Sequence, residues 1–312
     1  MDLEAALTPA QRRVTDDLMA RDQPRPQFDA SLGHDLRAHL ESTLAPLADR
    51  LADPIHVSKN ALSGVHACEA NYLAELNWSG WNAANAEGVV THRAVQLSVS
   101  LGDSAPPLLL VDHAIEELMA DQASDLGSFL HTVDEPARAE LRGRAGNAVA
   151  TFLECWPPIK SSWYPRTELP VRVDLCEGRI VLRGKIDLVL GRARGAEARC
   201  LFVDLKTGNH YSSHMDDLRF YALIQAIRIG VPPYRVASYY LESAGFVAED
   251  VSEDTLEIAL HRTEAGITKM IELRLKTREP VVTPCPRCRY CRLRTTCDGA
   301  REWDRRNQED DD

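Results

Sequence analysis

Apolar residues recur at helical spacing through the first half of the chain, and near Trp163 the pattern changes to strand-like alternation. Residues 1–55 read as helical. TPAQRRVTDDLMA places Thr8 as a cap, Pro9 in the first helical position and Gln11 where a capping box needs it. HDLRAHLESTLAPLADRLA carries leucines near helical spacing, with residues 23–26 separating the two. ALSGVHACEANYLAEL predicts another helix, followed by a Gly/Asn-rich break around SGWNAANAEG. A helix over residues 89–97 would carry His92, and 112–154 reads as mainly helical, interrupted near 132–136. ELPVRVDL and RIVLRGKIDLVLG then flank a turn containing Glu177 and Gly178, which predicts an antiparallel hairpin. CLFVDLKTG predicts a third strand, HMDDLRFYALIQAIRIG a helix, YRVASYYLES a strand and SEDTLEIALHRTEAGITKMIELRLK a final helix.

Composition narrows the class without naming a function. Of 312 residues, 44% are hydrophobic and 27% charged, which excludes global disorder, and no run approaches 18 apolar residues, so no membrane span is expected. The acidic start, without a basic stretch leading into an apolar run, predicts no secretory signal and a cytoplasmic protein. Net charge is −11, yet residues 274–306 hold ten Arg or Lys against four Asp or Glu, a local +6, before an acidic tail. A local nucleic-acid surface is compatible with that distribution.

The densest chemistry lies on two predicted strands. GKIDLV puts Lys185 and Asp187 on one face, and VDLKTG does the same for Asp204 and Lys206. Asp187 and Asp204 offer hard oxygen ligands for Mg²⁺ or Mn²⁺, and Lys206 can orient water or offset phosphate charge. The plainer reading makes both pairs edge-strand ion pairs. His92 is a candidate third ligand. Glu168 either binds metal or is a solvated carboxylate at a strand start. Tyr221 either supports the lysine, contacts nucleic acid or packs in its helix.

Four of the eight cysteines, Cys285, Cys288, Cys291 and Cys297, fall within thirteen positions. Such spacing suits Zn²⁺ or iron-sulfur iron better than disulfides in a chain without an export signal. Arg287, Arg289, Arg292 and Arg294 would surround the centre with positive charge, either balancing thiolates or meeting phosphates, and Tyr290 offers a stacking surface.

Taken together, GVVTH at 88–92, GKID at 184–187, DLK at 204–206 and the helix bearing Tyr221 resemble the RecB-type branch of the PD-(D/E)XK nucleases. The likeness extends to its iron-sulfur members, which include AddB nuclease domains and CRISPR-associated RecB-like exonucleases. The resemblance implies an α/β fold, a PD-(D/E)XK nuclease core with a small mixed central sheet flanked by helices, large helical additions and a cysteine-bound cluster region. It implies an N-terminal helical region (1–57), a core (58–284) with a helical insertion around 100–160, a basic cysteine segment (285–306) and an acidic tail (307–312). It further implies a Mg²⁺- or Mn²⁺-dependent deoxyribonuclease, an exonuclease on single-stranded DNA or DNA ends in repair, recombination or defence. His92, Asp187 and Asp204 would hold metal and Lys206 would assist. Cys68, from SKNALSGVHAC at 58–68, would join Cys288, Cys291 and Cys297 around a 4Fe-4S cluster. The extra Cys285 leaves an all-C-terminal zinc site as the alternative. Asp217 stands where the family's helix has Gln four residues before Tyr, so contacts made by that Gln do not transfer. A noncatalytic binding module on the same fold, or a zinc-stabilised scaffold, are the competing classes. No phosphate-loop motif occurs, so a helicase or DNA-processing partner would supply any motor.

Overall fold

The computed structural model describes residues 7–309 except positions 77, 79, 102–104, 122, 209 and 212; the start of the N-terminal region and the end of the acidic tail lie outside the described residues. Helix α1 (Pro9–Arg13) begins with the predicted capping box. Thr8 Oγ1 accepts from the Gln11 amide at 3.2 Å, and Gln11 Oε1 accepts from the Thr8 amide at 3.1 Å. A single π-helical turn (Val14–Leu18) follows, then α2 (Leu32–Ala48), which buries Leu36, Leu40 and Leu44 along one stripe.

Residues 55–57, read from sequence as the end of a helical region, instead form strand β1 (Ile55–Val57). The helix predicted across ALSGVHACEANYLAEL divides into α3 (Lys59–Ala67) and α4 (Glu69–Glu75), because Cys68 adopts an extended conformation between them. A helical group follows: α5 (Ala83–Leu101), α6 (Pro107–Ala120), α7 (Asp125–Thr132) and α8 (Glu135–Cys155). Its last turn docks on the sheet through Phe152 and Trp156, whose rings meet Tyr239 edge-on, Trp156 at 5.0 Å between centroids.

The sheet begins with the predicted hairpin, β2 (Arg166–Leu175) and β3 (Ile180–Leu190), turning through Cys176, Glu177 and Gly178, all at positive φ. Then come β4 (Leu201–Lys206), α9 (Ser213–Ile229), β5 (Arg235–Tyr240), β6 (Gly245–Asp250) and α10 (Glu253–Arg274). Strand β6 escaped the sequence reading because its apolar residues are only partly buried on a sheet edge. Strand order is β1-β3-β4-β5-β6, with β2 on the other side of β3. The β1–β3 and β4–β5 pairs are parallel and the rest antiparallel. Strand β4 is buried along nearly its whole length, as a central strand between helices must be. Helix α9 packs against β2, β3, β5, α2, α3 and α10. Among the described residues, no helix is long and apolar enough to cross a membrane.

One detail of this topology creates the site. Strands β1 and β4 share one edge of β3: Leu182 is the last residue paired with β1 and Leu188 the first paired with β4. The GKID segment therefore faces a fork in the sheet.

Candidate metal centre and active site

At the fork a side chain replaces a ladder bond. Asp187 Oδ2 accepts from the Leu205 amide at 2.8 Å, beyond the last paired residues Leu188 and Val203. Its other oxygen, Oδ1, lies 3.5 Å from His92 Nδ1, delivered by α5. Glu168 on β2 sits between the paired positions Thr167–Leu188 and Leu169–Ile186, and so directly opposite Asp187. It holds φ at 52°, a left-handed conformation that costs a non-glycine residue about 1–3 kcal/mol and collects at functional sites. Lys185 pairs with Glu168. His92, Glu168 and Asp187 each present a ligand atom, all within 4.8 Å of one another. Two carboxylates and an imidazole form a donor set suited to a hard divalent ion such as Mg²⁺ or Mn²⁺. Burial disfavours a charged His92, but Asp187, with Asp204 and Glu168, outweighs it and raises its pKa above the usual histidine value.

Asp204 occupies the adjoining position and is 1% exposed. Burial opposes its charge, yet two lysines hold its carboxyl far below the usual carboxylate range: Lys59 Nζ at 2.5 Å from Oδ1 and Lys206 Nζ at 2.5 Å from Oδ2. Lys59 is positioned by the start of α3, where Ser58 Oγ accepts from the Ala61 amide at 3.2 Å. Burial likewise opposes the Lys59 charge, and Asp204, with Tyr221 and Asp187, more than restores it, raising the pKa above the ordinary lysine value. The structure thus brings His92 and Asp187 together with Glu168, while both oxygens of Asp204 engage lysines.

Tyr221 is buried, with the Lys59 ammonium 5.4 Å from its ring centroid, and burial pushes its hydroxyl up to about 12. Its ring lies across the glycine of GKID. A Cβ on Gly184 would stand 2.3 Å from Tyr221 Cε1, so close approach of α9 to β3 requires glycine there. Asp217 lies one helical turn before Tyr221, and burial raises its pKa against the opposing charges of Lys59 and Lys206. Gly88 opens the GVVTH segment where a Cβ would come within 3.3 Å of Thr207 Oγ1, just past β4. The four quoted motifs therefore meet at one end of the sheet.

A model of the PD-(D/E)XK nuclease superfamily matches residues 56–298, most of the chain. The chain belongs to that superfamily. No curated protein sequence matches it. Two solved structures are similar to this superfamily member over most of its length. One, from Eubacterium rectale and described as a candidate exonuclease, is 14% identical with a TM-score of 0.47, covering 88% of this chain and 99% of the other. The second, SSO0001, is 12% identical with a TM-score of 0.35, covering 86% of this chain and 96% of the other.

The cysteine expectation is corrected. Among the described residues, two groups of three or more ligand atoms converge: His92, Glu168 and Asp187, and the more exposed set of His39, His261 and Glu264. Neither contains a cysteine. Three of the four sulfurs expected to hold a 4Fe-4S cluster accept from separate partners instead. Cys68 Sγ faces the Thr283 amide at 3.5 Å, Cys288 Sγ the Cys285 amide at 3.5 Å, and Cys291 Sγ the Asn71 side-chain amide at 3.2 Å. Cys285 and Cys288 bracket a short 3₁₀ turn (Pro286–Tyr290), and Cys297 immediately precedes α11 (Asp298–Glu309). The spacing therefore reflects a tight turn and a helix start. Glu69, next to Cys68, ties α4 to the segment after α10. Arg278 grips its carboxylate with both terminal nitrogens, at 2.6 and 3.0 Å, and the Val281 amide donates at 2.9 Å.

Three participants carried little or no sequence signal. Lys59 belongs to no acidic pair in the sequence, and its partner lies 145 positions away. Glu168 was ambiguous because only strand pairing brings it opposite Asp187. His214, whose Nδ1 lies 3.2 Å from the Tyr240 hydroxyl, is lowered to about 4 by burial and by Lys206.

Proposed function

We propose that this superfamily member is a metal-dependent deoxyribonuclease of the RecB-like branch, acting on single strands or DNA ends. The observation that carries this reading is the convergence of His92, Glu168 and Asp187 beside the Asp204–Lys206 pair. A divalent ion held there by His92, Glu168 and Asp187, with Asp204 at the same centre, would neutralise charge on a scissile phosphate and lower the pKa of an attacking water. The chain's own groups prepare the rest. Asp204 orders the ammonium groups of Lys59 and Lys206, which stand ready for the negative charge that grows on phosphate oxygens. Lys206 holds a proton that it can share with water or with the departing oxygen. Tyr221 and Gly184 keep α9 tight against β3, with the Lys59 ammonium 5.4 Å from the Tyr221 ring centroid.

The test is cleavage of end-labelled single- and double-stranded DNA with Mg²⁺ or Mn²⁺, comparing the native protein with Asp187→Ala and Asp204→Ala. Loss in both variants, with thermal melting retained, supports the assignment. Equal cleavage by both variants overturns it. DNA binding by the native protein without metal-dependent cleavage would favour the noncatalytic module.

A further inference from the structure

A groove of about 1000 Å³ lies just beyond the metal centre, at the open end of the β2–β3 ladder. Arg21, Arg25, Arg192, Arg194 and Arg199 line it, with Glu197 as the acidic group in its wall, in a chain whose net charge is −11. Its floor is built rather than incidental. Gly191 turns the chain at φ 85°, where a Cβ would stand 2.1 Å from the Arg199 carbonyl oxygen, and its amide donates to the Trp163 carbonyl at 2.6 Å. Tyr164 is held at φ 50°, a strained value for so bulky a residue, and keeps its ring 48% exposed. The Arg192 guanidinium lies 4.2 Å from that ring's centroid. Continuous with the groove is a smaller niche of about 150 Å³ with Trp163, Leu190, Leu201 and Tyr234 in its walls, and Arg25 stacked 3.8 Å over Tyr234.

This combination selects its ligand chemistry. Arg199 pairs with Glu197 at 2.8 Å and Arg25 donates to the Ala20 and Gln23 carbonyls, while the exposed Arg192 and Arg194 suit phosphates, which guanidinium groups bind through paired donors. The exposed Tyr164 ring beside them suits an unpaired base, and the neighbouring cavity of about 150 Å³ takes one aromatic ring. A duplex keeps its bases stacked inside and would leave the niche unused. Gly191, just past the end of β3, is four residues beyond Asp187, about 13 Å at strand spacing. A single strand leaving the metal centre reaches the groove within a few nucleotides.

We propose that the arginine groove is a second nucleic-acid site, which holds a single strand by its phosphates and stacks one base on the exposed Tyr164 ring, beside the niche. Its place in catalysis rests on the nuclease reading above; its binding does not. The test is fluorescence anisotropy of a labelled oligothymidylate in EDTA, so that cleavage plays no part. R192Q/R194Q, two exposed positions, should weaken binding about tenfold and reduce the slope of log affinity against log salt by ~1.4, the share of two phosphate contacts on a single strand. Tyr164→Ala should cost about fivefold or more on the intact oligonucleotide and little on an abasic one. R172Q/R183Q removes the same charge from the exposed surface of the hairpin, where the two residues pair across β2 and β3, and should leave affinity unchanged. Unchanged affinity in both R192Q/R194Q and Y164A overturns the groove, as does an equal loss in R172Q/R183Q. Groove-dependent binding by a native protein that does not cleave with Mn²⁺ would sink the nuclease reading and leave the groove standing. Normal cleavage with groove-independent binding would do the reverse.

Discussion

Among the described residues two acidic side chains are buried, Asp204 and Glu69, and they are held in contrasting ways. Arg278 grips Glu69 with a planar fork, the Val281 amide adds a third bond, and Lys269 stands 3.7 Å away. That carboxylate is saturated by rigid donors, and it joins α4 to the segment after α10. Asp204 instead faces two lysine ammonium groups, compact charges on flexible stems, beside a carboxylate–imidazole cluster at the fork of the sheet. Arginine forks fix geometry, whereas lysines can reorient when another charge arrives. The comparison separates a carboxylate that closes the fold from one prepared for a phosphate.

The contrast is broken most directly by Lys206→Ala. DNA cleavage with Mn²⁺ should fall about 10²- to 10⁴-fold, the range for loss of a proton-transfer group. The thermal midpoint should move little, because Lys59 still neutralises Asp204. Equal losses of activity and stability would make Asp204 a structural carboxylate like Glu69. Glu69→Ala is the converse. Removing one partner of a buried pair costs about 3–5 kcal/mol, and the part-exposed Arg278, which keeps its bond to Glu272, places this case near the lower end. Denaturant unfolding should show that loss, while cleavage per folded molecule stays near native. Gly184→Ala sharpens the boundary between the two regions. The added methyl meets the Tyr221 ring and should cost about 1–3 kcal/mol as overpacking, read by thermal melting, with cleavage reduced because α9 and Lys59 are displaced.

The smallest effect is a pH dependence. The Arg278 bonds, opposed by burial, hold the Glu69 pKa below 4.5. A lowered carboxylate pKa contributes stability in full above the unfolded value and loses it as pH falls through the folded one. The native protein should therefore lose stability more steeply than Glu69→Gln as pH drops from about 6 to about 3, followed by urea midpoints. Parallel curves would remove Glu69 from the acid limb.

Several parts of this architecture were legible residue by residue. Thr8, Pro9 and Gln11 specify a cap within four positions, and the turn at Glu177 and Gly178 lies between two strongly alternating segments. GKID and DLK expose their paired residues because strand periodicity places positions two apart on one face. By contrast, β1 is only three residues long and gains its identity from pairing with Ile180–Leu182. Strand β6 exists by pairing with β5. Cys68 looked like a ligand because SKNALSGVHAC resembles the first half of an iron-sulfur motif, whereas its sulfur meets backbone groups of the 281–283 segment. Thiolate spacing describes what short loops permit; only the fold sets where each sulfur points.

What the sequence determined by itself is local: helix starts, the hairpin, and the acidic and basic residues sharing a strand face. Those follow from backbone sterics and from periodicities shorter than one turn of structure. The tertiary structure alone decided that Glu168 would face Asp187, that Lys59 would cross 145 positions to share Asp204, and that, among the described residues, no three cysteine sulfurs would meet within 4.8 Å of one another. Each of these depends on strand register or helix docking. Both are set by the burial of the whole core, which no short segment encodes.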